Sequence, residues 1–272
     1  MSSLRILESN LARAGIPARV SSESFRRDVT GRIVQMDISR EKGKEEIRIS
    51  VPEGDRAEVK VLGIDPALQQ AVLMIHEPER EFAVRVWNRR KRAYEEEVRR
   101  TTEAKRRFLV GMDESHLFIA QLTRPATSVK QAHEGLRPRG VPAGKAAKRL
   151  KIVRQGEWFF QPASKEERLA IEPLVKTGAV ARNVGIGRGR GRMRGRAHVV
   201  SESVLLVVSE ERTPIVRRGR TVGIQTARET IEFVRGRVRH PDHQTIELYE
   251  WHKVFLNTED RQSLSQVSNF VD

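Results

Sequence analysis

The stretch IRISVPEGDRAEVKVLG, residues 47–63, sets out the organisation of the chain in miniature. Ile47, Ile49 and Val51 alternate with polar residues, and so do Val59 and Val61 on the far side of Pro52-Glu53-Gly54-Asp55. A period of two is the signature of a strand with one face buried, and proline, glycine and aspartate are turn formers. The stretch therefore predicts a β-hairpin. Working outward, Gly31–Ile38, Glu45–Val51, Ala57–Leu62, Ala71–Ile75 and Glu81–Trp87 read as further strands rich in Val and Ile. Leu4, Leu7 and Leu11 share one helical face before the stop signals Gly15 and Pro17.

Downstream, Asn88 is placed to cap a charged helix over Arg89–Arg107, with Ala93, Tyr94, Val98 and Ala104 as its few apolar positions. Glu95, Glu96 and Glu97 stand near Arg99 and Arg100, so much of its charge pairs along the helix. Its first turn, Arg89-Arg90-Lys91-Arg92, opposes the helix dipole and is a secondary contact candidate for an anion. Strands are expected over Phe108–Val110 and Leu117–Leu122, then a short helix over Ser128–Leu136.

Residues 137–154 hold seven cations and no acid, with two prolines and two glycines in the first half. They read as a basic connector, which divides the chain into a domain over 1–136, a linker over 137–150 and a β-rich domain over 151–272. In the second half, Gly156–Gln161 is a strand and Lys165–Lys176 a helix interrupted near Pro173. Val199–Val208, Val222–Gln225, Glu232–Arg239, Thr245–Trp251 and Lys253–Leu256 are strands. Successive strands without regular intervening helices predict an α+β fold of two β-rich halves with mixed or mostly antiparallel sheets.

Composition narrows the function. The 272 residues include 51 Lys and Arg against 36 Asp and Glu, a formal charge of +15. Such an excess points to a polyanionic partner. The absence of cysteine excludes disulfides, thiolate metal sites and cysteine nucleophiles. No apolar run is long enough for a secretory signal or a membrane span, so no membrane partner is expected and a cytoplasmic location is the default expectation.

The charge concentrates in RNVGIGRGRGRMRGRAH, residues 182–198, which holds Arg182, Arg188, Arg190, Arg192, Arg194 and Arg196 among five glycines and no acid. Guanidinium groups fit phosphate oxygens and stack on bases, so the loop points to RNA or another single-stranded nucleic acid, bound alone or within a ribonucleoprotein assembly. Arg217, Arg218 and Arg220 add a basic turn. In Glu232–Arg239, alternation places Phe233, Arg235, Arg237 and Arg239 on one face, a phosphate track with a stacking platform.

A different chemistry is offered by His240-Pro241-Asp242-His243, with His252 one strand later. Imidazole serves as metal ligand and as proton shuttle. His240, Asp242, His243 and His252 are thus candidates for a metal- or histidine-dependent phosphodiesterase or nuclease. Nucleic-acid binding alone calls for no cofactor; a divalent metal enters with the enzymatic reading. Asp242, Glu250 and Lys253 do not reproduce the acid–x–lysine spacing of metal-dependent nucleases, because two residues separate Glu250 from Lys253 and set them on opposite strand faces. His198 begins a strand after the arginine loop, and a functional role for it requires that it approach His240 or His243. His116 is placed to pair with a neighbouring carboxylate. No phosphate-loop, nucleophile-elbow or His-Glu-x-x-His motif occurs.

Overall fold

The computed structural model describes residues 3–24, 32–52, 56–187, 197–217 and 220–259. The chain divides into two units, Met1–Arg137 with Thr258–Asp272, and Pro138–Asn257. Both are sheet-rich with a few helices, an α+β architecture of mixed and antiparallel strands. No helix among the described residues is long and apolar enough to cross a membrane.

The first unit opens with α1 (Ser3–Arg13), β1 (Ala18–Ser21), β2 (Gln35–Glu41) and β3 (Lys44–Ser50). There follow β4 (Glu58–Asp65), β5 (Gln70–Glu77), β6 (Arg80–Asn88), β7 (Ala93–Thr101), β8 (Ala104–Asp113), β9 (His116–Leu122) and α2 (Val129–Leu136). One sheet runs β1-β3-β2, with β1 parallel to β3, and a second runs β4-β5-β8-β9, all antiparallel. Strand alternation splits the apolar residues between two cores. Leu73, Ile75, Phe108 and Val110 join Leu7 and Leu11 of α1 and Ile47 and Ile49 of β3 in one cluster. Val72, Leu109 and Ala120 face the other way, onto Val129, Ala132 and Leu136 of α2. The carboxylate of Glu77 is buried with them, accepting from the amides of Ile33 (2.8 Å) and Val34 (2.9 Å) and pairing with Arg106. His116 finds its carboxylate far away in sequence: its Nδ1 lies 2.9 Å from Oε1 of Glu45.

Two expectations for this unit are overturned. The strands on either side of Pro52 do not pair with each other. Both edges of β3 are occupied, by β1 and β2, so β4 pairs with β5 instead. The turn proposed between them, at 53–55, lies outside the described residues. The expected helix over Arg89–Arg107 is a β-ribbon, in which β6 and β7 pair from Arg80↔Thr101 to Asn88↔Ala93. Asn88 does cap backbone amides, those of Arg90 (2.9 Å) and Lys91 (3.2 Å), but the cap starts a reverse turn, closed by Arg92 at a φ of 50°. An asparagine cap is common to helix starts and turns. Cross-strand pairing with β6 decides between them.

The second unit comprises α3 (Gly144–Arg149), β10 (Val153–Gln155), β11 (Trp158–Pro162), α4 (Lys165–Lys176), β12 (Ala181–Gly185), β13 (Val199–Arg217), β14 (Arg220–His240) and β15 (His243–Leu256). Helix α4 carries a capping box, Ser164 with Glu167, and runs through Pro173 to Lys176 rather than breaking there. The strands form one antiparallel sheet in the order β10-β11-β15-β14-β13-β12. Trp158, Phe160, Val200, Val234, Val238, Leu248 and Val254 fill one core. Ile171 of α4 packs with Ala163, Val204, Phe233 and Trp251 in another.

This sheet bends sharply. Register shifts fall between Val200 and Glu202, between Val234 and Gly236, and between Val238 and His240. Extra residues of this kind bend a strand and increase its twist. The sheet curls far enough that Gln155 of the edge strand β10 donates to the carbonyls of Val238 (3.5 Å) and Gln244 (2.5 Å), at the β14–β15 turn. Beyond the partners of β12 and β15, segments 205–217 and 220–232 pair only with each other among the described residues, a second two-stranded ribbon.

Gly236 is the hinge of the bend. Its φ is +87°, and a Cβ there would stand 2.7 Å from Cβ and 3.0 Å from Oγ of Ser201, whose hydroxyl accepts from the Arg237 amide. Gly236→Ala is expected to destabilise the chain by about 1–3 kcal/mol, through strain and overpacking together, as measured by urea denaturation.

Candidate metal centre

The β14–β15 hairpin brings His240 and His243 together as register partners flanking Pro241 and Asp242. Directly opposite residues point to the same sheet face. On the other side of β14, Val199 pairs with Arg239, which sets His198 beside the same hairpin end. The carbonyl of His198 is fixed by the Ile186 amide at 2.8 Å. The condition set on His198 is thereby met. Its ring centroid lies 4.2 Å from that of His240, at an interplanar angle of 17°, and 5.4 Å from that of His243; His240 and His243 are 4.9 Å apart. One ring nitrogen from each lies within 4.8 Å of the other two. His198 and His240 are 2% and 8% exposed, and His243 is half-buried.

The turn between β10 and β11 faces this triad. Gly156 has a φ of +55°, and a Cβ on it would stand 2.7 Å from Nε2 of His243 and 3.3 Å from Nε2 of His198. The missing side chain leaves a cradle onto which both nitrogens open. Next in sequence, the buried Glu157 places Oε1 4.0 Å from Nδ1 of His198. His198 thus turns Nδ1 towards a carboxylate and Nε2 towards the cradle. The Trp158 ring stands edge-on to His198 at 6.5 Å, and Nδ1 of His243 is buried without a hydrogen-bond partner. Nδ1 of His240 accepts from the Asp242 amide at 3.2 Å. Ligation through that nitrogen requires giving up this bond. Arg154 donates Nε to the Gly156 carbonyl at 2.7 Å and is exposed, so a guanidinium flanks the same turn.

Three imidazoles and no thiolate form a donor set that suits zinc and similar divalent ions. Tetrahedral ligation with bonds of about 2.0–2.1 Å sets nitrogens about 3.4 Å apart, so capture of an ion calls for a contraction of up to about 1.4 Å. It also draws His198 and His240 out of their near-parallel stack, because a ring's lone pair lies in its own plane.

Other sequence-predicted residues fall elsewhere. Asp242 contributes its amide, while its carboxylate is not among the clustered ligand atoms. His252 does not join the triad. It sits nine residues further along β15, opposite Val234 and Pro162, and its Nδ1 donates to the Glu250 carbonyl at 2.7 Å. The expected stacking platform is also corrected. Phe233 is fully buried, because α4 covers its face of the sheet, where it packs with Ile171, Val204 and Trp251. Arg235 pairs with Glu202 (2.6 Å) and lies over the Trp251 ring at 4.8 Å. Arg237 meets Glu247 (3.3 Å), and Arg239 donates to Asn183 (3.0 Å). These contacts tie the strand's arginines to neighbouring strands.

Arg182 is exposed on β12, and Arg217 and Arg220 pair across the end of the second ribbon. Arg188, Arg190, Arg192, Arg194, Arg196 and Arg218 lie outside the described residues. Glycine 156 and Glu157 were visible in the sequence only as the start of a strand. A glycine at a strand turn is a common signal and does not announce a ligand cradle.

No protein-family model, curated protein or solved structure matches the chain significantly.

Burial pushes His252 below the ordinary imidazole value, against the pull of its bond to the Glu250 carbonyl and of the Glu250 charge. The folded state therefore resists protonation that the unfolded chain accepts. Stability is expected to fall as pH drops below about 6.5, continuing down to the lowered folded-state value. His252→Asn should flatten this part of the profile, as read from urea midpoints between about pH 7 and pH 5.

Proposed function

We propose that the chain is a divalent-metal-dependent phosphodiesterase acting on nucleic acid, with His198, His240 and His243 as the metal ligands. The observation that carries this reading is the cluster of three imidazoles, with one ring nitrogen of each within 4.8 Å of the others and those of His198 and His243 opening onto the space left by Gly156. Three protein ligands leave a further coordination position, the pattern of catalytic rather than structural zinc. A divalent ion there would supply Lewis-acid stabilisation of charge developing on a phosphodiester. The buried Glu157 carboxylate lies 4.0 Å from Nδ1 of His198, and the exposed Arg154 stands at the same turn. The formal charge of +15 and the arginine–glycine run that ends just before His198 favour a polyanionic substrate.

A second reading has its own support. The burial of His198 and His240 suits a structural ion that braces the curled sheet, in a protein that binds single-stranded nucleic acid without cutting it. The two readings differ in what happens to the probe.

Equilibrium dialysis against zinc or manganese is expected to give one ion per chain. Occupancy should fall on acidification, because protons compete for the ligating nitrogens. His240→Ala and Gly156→Ala should each weaken metal binding at least about tenfold, the first by removing a ligand and the second by filling the cradle. Labelled single-stranded RNA, single-stranded DNA and duplex DNA are then incubated with the loaded chain. Shortening of a probe that stops on chelation and in His240→Ala supports the enzyme. One bound ion with every probe intact supports the structural reading. Absence of metal binding overturns both.

A further inference from the structure

The β6–β7 ribbon pairs with no other strand among the described residues. Its outer end collects groups that the core of its unit does not use. Trp87 and Tyr94 are register partners with ring centroids 5.0 Å apart, edge to face, and they are 48% and 66% exposed. Cross-strand register puts Arg85 with its partner Glu96, and Ala83 with the 68% exposed Val98, on the same ribbon face. Beyond the aromatic pair comes the turn Arg89-Arg90-Lys91-Arg92, which contains no acid. Lys91 is bound by Glu95 at 2.6 Å, whereas Arg89, Arg90 and Arg92 form no ion pair among the described residues. Asn88 holds the turn in shape through the amides of Arg90 and Lys91.

We propose that this ribbon tip is a binding surface for single-stranded nucleic acid, separate from the histidine triad. Unstacked bases lie against Trp87 and Tyr94, and the adjoining phosphates meet Arg89, Arg90 and Arg92. The charge of the turn is complementary to a polyanion. The exposed ring pair beside it selects a strand whose base faces are free, since a duplex keeps them stacked. An acidic protein would meet the arginines but leave the aromatic pair without a purpose. The proposal rests on the ribbon alone and does not require that the triad bind metal or cut.

The test uses the full chain in chelator, so that no metal-dependent cleavage intervenes, with oligouridylate of about twenty nucleotides and a DNA duplex of similar length as probes. Trp158 and Trp251 are buried, at 1% and 8% exposure, so quenching of indole fluorescence by the oligonucleotide reports chiefly on Trp87. Oligouridylate is expected to quench, and Trp87→Leu combined with Tyr94→Ser to weaken its binding about tenfold and abolish the quench. Arg89→Ser with Arg90→Ser should lower the slope of log affinity against log salt by about 1.4, for two lost phosphate contacts. Circular dichroism checks that both variants keep the fold. Unchanged affinity in both variants, no quenching by oligouridylate, or tighter binding of the duplex overturns the proposal. So does an aromatic variant whose only effect is a shift from dimer to monomer, since the pair would then cover a second copy of the chain. Intact probes in the metal-loaded assay would remove the phosphodiesterase reading and leave these outcomes untouched.

Discussion

Three imidazoles packed at one end of a curled sheet are the constraint around which the second unit is arranged. They come from positions 198, 240 and 243, and a flat sheet would not hold a facing turn over them. The bend at Gly236 and the register shifts beside it bring the β10–β11 turn around to the β14–β15 hairpin. Gln155 then ties the two ends together through the Val238 and Gln244 carbonyls. Gly156 is needed twice, for its left-handed backbone and for the space against Nε2 of His243.

The positive charge of the chain is not spread evenly in its effect. On the β14 strand, Arg235, Arg237 and Arg239 engage Glu202, Glu247 and Asn183, so guanidinium groups there brace the sheet. At the β6–β7 turn Arg89, Arg90 and Arg92 form no ion pair among the described residues and lie next to exposed rings. Counting arginines along a strand therefore overstates what is offered to a partner. Pairing and exposure decide which of them can act.

Much of the fold was legible in the residues. Period-two alternation located most strands, and the split of Val72 and Leu109 from Leu73 and Phe108 follows from it. Local signals failed where long-range pairing decides. Asn88 with a run of Glu, Lys and Arg reads equally as a helix start, and only the register with β6 makes it a ribbon. Nothing near Pro52 shows that both edges of β3 are taken by other strands. Of the site, His240 and His243 were legible because a two-residue turn separates them. His198 was identified only as dependent on their approach, and His252 was wrongly grouped with them because proximity in sequence is not proximity along a curled sheet. Phe233 shows the same lesson at one residue: alternation assigns its face, but only the packing of α4 on that face makes it core.

The central claim is that His198, His240 and His243 share one metal ion. X-ray absorption at the zinc edge of the loaded chain tests it most directly. The account predicts three imidazole nitrogens at about 2.0–2.1 Å with a further light-atom ligand, and a smaller imidazole signal in the His198→Ala chain. A shell of oxygens alone, or an imidazole signal unchanged in that variant, would contradict it.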